Sequence, residues 1–197
     1  MTARKKTEIP VDVYIPFVET LFRDSSTLAI GIAAQALLAV LAFFKTSASI
    51  YLGIALIIIT VGSLRLISMN RCRRAPAPTT REDARQLENI YILWGSLHAL
   101  ALGLFCFCGI YWAPDNFAEI AAVSVTLASA TSIAGRNYGS PRLVMIQIVA
   151  ATSPISIGFL LRADVFHVVL GLLSFPFFFT IRKFADIVRG VLFAALS

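Results

Sequence analysis

The chain has 197 residues, of which 58% are apolar and 14% charged, and a formal net charge of +6. Apolar stretches take up most of its length and leave no segment to bury a separate soluble core, which excludes a catalytic domain. Its short loops cannot build the folded basic surface that a nucleic-acid partner needs, and Cys72, Cys106 and Cys108 lie where no structural disulfide is expected.

In chain order, Tyr14, Ile15, Val18, Leu21 and Phe22 recur at helical spacing, with Asp12, Glu19 and Arg23 at other positions. This predicts a short amphipathic helix on the cytoplasmic interface. Six apolar stretches follow, at Thr27–Phe44, Ala48–Leu64, Ile90–Tyr111, Ala118–Ala134, Leu143–Leu161 and Val165–Ile181. Each is close to the roughly 20 helical residues that cross a hydrocarbon core, and the expectation is of spans free of charged side chains. The fold class is therefore all-α, a polytopic membrane protein of six transmembrane helices.

Tight turns at Lys45-Thr46-Ser47, at Ala113 to Phe117 and at Arg162-Ala163-Asp164 close three hairpins on one side. On the other side the longest loop carries Ala75-Pro76-Ala77-Pro78, which breaks any helix, and Thr79 or Thr80 followed by Glu82 and Asp83, a helix start. Of 17 Lys and Arg residues, only Lys45 and Arg162 fall on the hairpin side. Positive charge stays inside, so both termini are expected in the cytoplasm, in a bacterial inner membrane. Trp94 and Trp112 would mark the two interfaces, about 27 Å apart at helical rise.

Within the spans, polar side chains are few. Coupled carriers and pumps usually need an intramembrane carboxylate, and none is expected here. Ser96 and His98, two apart, point to nearly opposite helix faces and make no catalytic pair. His98 is the first candidate for ligand or proton sensing because an ionisable group at that depth is functional by default, although an imidazole bonded to a neighbouring helix is the plainer reading. Gln35 is expected to bond across to another helix, and His167, near the outer end of span six, is a second candidate. His98, His167 and Cys106 do not share a spacing that would hold a metal, and no cofactor is expected. Cys106 and Cys108 point to different faces and read as small packing groups. Gly95, Ala99 and Gly103 form a small-residue stripe suited to close helix contact, in the bundle or across a homodimer. Pro154 and Pro176 are candidate hinges.

The cytoplasmic GRNYGSPR turn, residues 135–142, places Arg136, Asn137, Tyr138 and Arg142 where phosphate headgroups or acidic side chains could pair. Beyond span six, Phe184, Ile187, Val188, Val191 and Leu192 make an apolar stripe that continues the helix into the cytoplasm. Together with the Tyr14-to-Phe22 lead-in, the LRLISM exit of span two and the FFFTIRKFADIVRGVLFAALS ending, these features resemble the N-terminal membrane region of alphaproteobacterial GGDEF/EAL cyclic di-GMP signalling proteins. The resemblance implies a membrane sensor or anchor whose last helix leads to a cytoplasmic output domain that makes or degrades cyclic di-GMP. Neither a GGDEF nor an EAL sequence occurs in these residues, so that chemistry is carried onto none of them.

The expected organisation is an amphipathic segment over 1–26, a six-helix domain over 27–181 and a signalling helix over 182–197. Its partners are the lipid bilayer, a second copy of the chain and a cytoplasmic output. The alternative class is a free-standing transport or channel subunit, for which only Gln35, His98, Gln147 and the Ser and Thr residues of span four could line a path.

Overall fold

The computed structural model describes residues 11–22, 25–137 and 140–196, and among them every regular element is helical. In chain order these are α1 (Val11–Thr20), α2 (Ser25–Thr46), α3 (Ser49–Arg74), α4 (Arg81–Phe107), α5 (Asn116–Arg136), α6 (Pro141–Arg162) and α7 (Val165–Leu196). A single π-helical turn, Cys108–Trp112, extends α4. Five helices, α2 to α6, are long and apolar enough to cross a membrane. α7 runs unbroken through the predicted sixth stretch, and Val165–Ser174 is apolar in composition apart from His167 and Ser174.

Local chemistry sets the helix ends. Ala75-Pro76-Ala77-Pro78 stops α3, and Thr80 starts α4 through a capping box in which Thr80 Oγ1 accepts from the Asp83 amide at 3.2 Å while the Asp83 carboxylate accepts from the Thr80 amide. The Asp115 carboxylate caps α5, accepting from the amides of Phe117 and Ala118 at 2.9 and 3.1 Å. Ser140 caps α6 with Pro141 in the first turn. The hairpin turns are tight enough to force Ser47 and Ala163 into left-handed backbone, at φ 57° and 59°.

Two expectations are corrected. Span two does not end at Leu64: α3 continues to Arg74, so Arg65 is an intrahelical residue of the bundle and not part of a loop. Apolar composition ends at Leu64, but helical hydrogen bonding does not, and Arg65 falls on the same face as the buried Ile58, Gly62 and Met69. Span four likewise is not free of charge, because Glu119 lies in the first turn of α5. The amphipathic lead-in is helical as expected; its Val18, with Leu21 and Phe22 just beyond, is buried as α1 packs on α4, and Phe22 meets Tyr91 edge to face at 5.5 Å.

α4 is the central helix and touches α1, α3, α5 and α6. Its small residues permit this. An ideal Cβ at Gly103 would lie 2.5 Å from the carbonyl oxygen of Ala151 and 2.9 Å from Pro154, so α6 approaches at a distance only glycine allows. Tyr51, Phe105, Leu102 and Ile110 fill the bundle beyond that level.

Ion pairs and backbone bonds join the hairpin turns at one end of the bundle. Lys45 pairs with Asp115 at 3.4 Å, Tyr51 donates to the Ala113 carbonyl, and Arg162 donates to the Ile110 carbonyl at 3.0 Å and to Glu119 at 3.2 Å. The π turn carries the Ile110 carbonyl that Arg162 reaches. The other end holds the basic helix termini, including Arg71, Arg73 and Arg74.

Candidate functional site

A cavity of about 280 Å³ lies between α2, α4 and α5, with Arg65 of α3 reaching its wall. Thr27, Gly31, Ala34 and Gln35 line one side, Gly95, His98 and Leu102 the floor, and Ser129 and Ser132 the other side. It runs from Thr27 near the basic end to Gln35 in mid-helix, about 12 Å along α2. Arg65 sits about 24 Å from the hairpin end of α3, and His98 about 21 Å from that end of the α4 extension, so the two share a level.

Hydrogen bonds connect the wall. His98 Nε2 lies 2.7 Å from Gln35 Oε1, and Gln35 Nε2 donates to Ser129 Oγ at 2.9 Å, which in turn donates to the Val125 carbonyl. Gln35 can only accept through Oε1, so His98 carries its proton on Nε2. Helices α2, α4 and α5 are thus joined by one polar chain.

A second network starts at Arg65. Its Nη2 donates to Tyr91 Oη at 3.2 Å, and its guanidinium stacks over the Tyr91 ring at 5.1 Å. The Tyr91 hydroxyl donates to Asn137 Oδ1, and Asn137 Nδ2 donates to Gln147 Oε1 at 3.2 Å. Arg65 and His98 are each only 3% exposed, and Asn137 and Gln147 are fully buried. Burying a guanidinium at this level is costly, which makes this network the first place to look for a function.

The structure brings some of the expected residues together and separates others. Gln35 and His98 meet as expected of groups bonding across helices, and Asn137 of the GRNYGSPR turn enters the Arg65 network. Arg142 is exposed in the first turn of α6. Tyr138 and the Arg136 side chain lie outside the described residues, as do the side chains of Val188, Val191 and Leu192, whereas Phe184 and Ile187 are exposed on α7. Pro154 is buried against Gly103, and Pro176 is exposed in a helix that continues past it. Cys106 Sγ lies 3.1 Å from Thr126 Oγ1 and links α4 to α5 on another face.

His167 belongs to the opposite end. Its Nδ1 lies 2.5 Å from Asp164, and its Nε2 lies 3.5 Å from Glu119, which also receives Arg162. The hydrogen bonds from the His167 side chain and amide hold the Asp164 carboxyl below its ordinary value. Asp115 is lowered as well, first by the Ala118 amide and then by Lys45. Among the described residues, no three His, Cys, Asp or Glu side chains group closely enough to hold a metal ion.

Arg65 and Tyr91 were not legible in the sequence as site residues, and Gln147 and Ser129 only as groups available to line a path. The one signal for Arg65 was its phase with Ile58, Gly62 and Met69, which places it on the buried face of α3. Compared with known proteins, the chain matches no family model, no curated protein and no solved structure.

Proposed function

We propose that this chain is a six-span membrane sensor or anchor, with both termini in the cytoplasm, that passes a signal to a cytoplasmic output through α7. The observation that carries the reading is the continuity of α7. It is one helix from Val165 to Leu196, about 48 Å long, and it exceeds a hydrocarbon core of about 30 Å. At its start it packs on α6, where Ser156 and Ser174 share a hydrogen bond at 2.5 Å and Gly171 lies against Phe159 and Leu160. Its far half carries Arg182, Lys183 and the exposed Phe184 and Ile187. A continuous helix that packs on α6 near its start and exposes Arg182 to Phe184 and Ile187 further on suits transmission.

On this reading the output is cyclic di-GMP synthesis or breakdown, and the active form is a homodimer in a bacterial inner membrane. The test is a diguanylate cyclase domain fused after Ser197. Its activity should depend on the membrane domain and fall when α7 is replaced by a flexible linker of equal length. Equal activity with the linker would reject the transmission role.

A transport or channel subunit is the second reading, favoured by the polar cavity alone. Against it stands the packing of Leu102, Phe105 and Ile110 between that cavity and the hairpin end. Solute flux into liposomes that carry the purified chain would support transport.

A further inference from the structure

We infer that His167 is a proton-operated latch at the hairpin end of the bundle: charged, it ties the start of α7 to α5 through Glu119, and neutral, it lets that tie go. The first reason is that two carboxylates flank one ring. Asp164 Oδ2 lies 2.5 Å from Nδ1 and Glu119 Oε1 lies 3.5 Å from Nε2, so each ring nitrogen faces an acceptor. An imidazolium has an N–H for both, whereas a neutral imidazole has only one and turns a lone pair to the other carboxylate.

Placement is the second reason, because it decides which contact is lost. The Asp164 carboxylate accepts from the Phe166 and His167 amides at 3.1 and 3.0 Å, which caps α7 and keeps that carboxylate beside the ring. A ring nitrogen and a carboxylate oxygen 2.5 Å apart need a proton between them, so the neutral ring keeps its proton on Nδ1. The longer contact, to Glu119, then meets a bare Nε2 and becomes repulsive. Glu119 is not left unpaired, since Arg162 donates to its other oxygen at 3.2 Å and to the Ile110 carbonyl at 3.0 Å. Loss of the proton therefore spares the tie between α5 and α6 and removes the one between α5 and α7.

The third reason is access. The Asp164 side chain is 43% exposed, so protons reach the cluster, while the Phe159 ring packs against the imidazole at 5.8 Å and holds it in place. Among the described residues, the charged groups of the cluster are Asp164 from the turn before α7, Glu119 from α5 and Arg162 from α6; Lys45 pairs with Asp115 instead. An imidazole is the side chain whose charge changes between about pH 5 and pH 8, the range in which such a contact can switch.

This deepens the sensor reading, on which its consequence for output rests, by making acidity at the hairpin side the signal that fixes the start of α7. The latch is measured on the chain alone, so its failure is distinct from failure of α7 to control an output. Purified chain in nanodiscs, with isotope-labelled histidine, would be followed by NMR of the ring nitrogens, the His167 signals being those lost in His167→Gln. Between about pH 8 and about pH 5, His167 should pass from a proton on Nδ1 alone to protons on both nitrogens. Melting temperatures of the unmodified chain, Glu119→Gln, His167→Gln and the double variant should give a coupling of about 2 °C or more at the acid end and none at the other. The ring signals need no change at Glu119 and decide the matter if Glu119→Gln fails to fold. A neutral ring with its proton on Nε2, a single charge state throughout that range, or equal coupling at both ends would overturn the latch.

Discussion

At the scale of single residues, the polar centre depends on a glycine as much as on its charged members. Gly95→Ala would drive a methyl group into the Gln147 amide, which must then leave Asn137, and overpacking of this kind costs about 1–3 kcal/mol. A lower melting temperature in detergent checks this; an unchanged one would mean that Gln147 moves aside freely. His98→Gln is the milder change, since an amide nitrogen can still donate to Gln35, and folding should be retained. The His167 cluster gives a pH prediction. A carboxyl held below its ordinary value stabilises the fold fully above that value and loses the contribution as pH falls through its lowered value. The contact between Asp164 and His167 should thus loosen only in acid below the ordinary carboxylate range, and Asp164→Asn should remove that acid dependence. Melting temperature followed across that range, with and without the substitution, would report it. His98 was legible in the sequence as a group bonded across helices, because polarity at depth demands a partner. Arg65 was not, because a cation after an apolar run reads as its end, and only helix phase contradicts that.

At the scale of elements, most helix starts follow from local chemistry and were readable. The Thr80 and Asp83 start of α4 and the proline break before it needed no tertiary information. Thr80→Ala should cost about 1 kcal/mol of stability by exposing an unpaired amide in the first turn, visible as faster hydrogen exchange around Arg81 to Ala84. The π turn at Cys108–Trp112 was not legible, because the contacts around it come from elsewhere: Gly109 lies against the backbone of Ala118 and Glu119, and Ile110 presents its carbonyl to Arg162. Contact between α4 and α6 is equally specific. Gly103→Leu should force the two helices apart at Ala151 and Pro154 and destabilise the bundle more than the same substitution at Gly53, which meets no neighbouring atom within 4 Å. Comparable losses at both positions would argue against the close approach.

At the scale of the whole molecule, the five helices long and apolar enough to cross a membrane were readable because composition sets them, while the cavity was not, because its wall is assembled from four helices that are distant in sequence. On the sensor reading, α7 transmits a state of the bundle to the cytoplasm as a rotation or shift of paired helices. Inserting one to seven residues between Ser197 and a fused cyclase domain tests it most directly, since each residue turns the output by about 100° and seven nearly restore register. Cyclase activity should vary periodically with insertion length and return near seven. Activity independent of insertion length, with tails that remain monomeric in crosslinking, would contradict it and leave α7 a simple anchor.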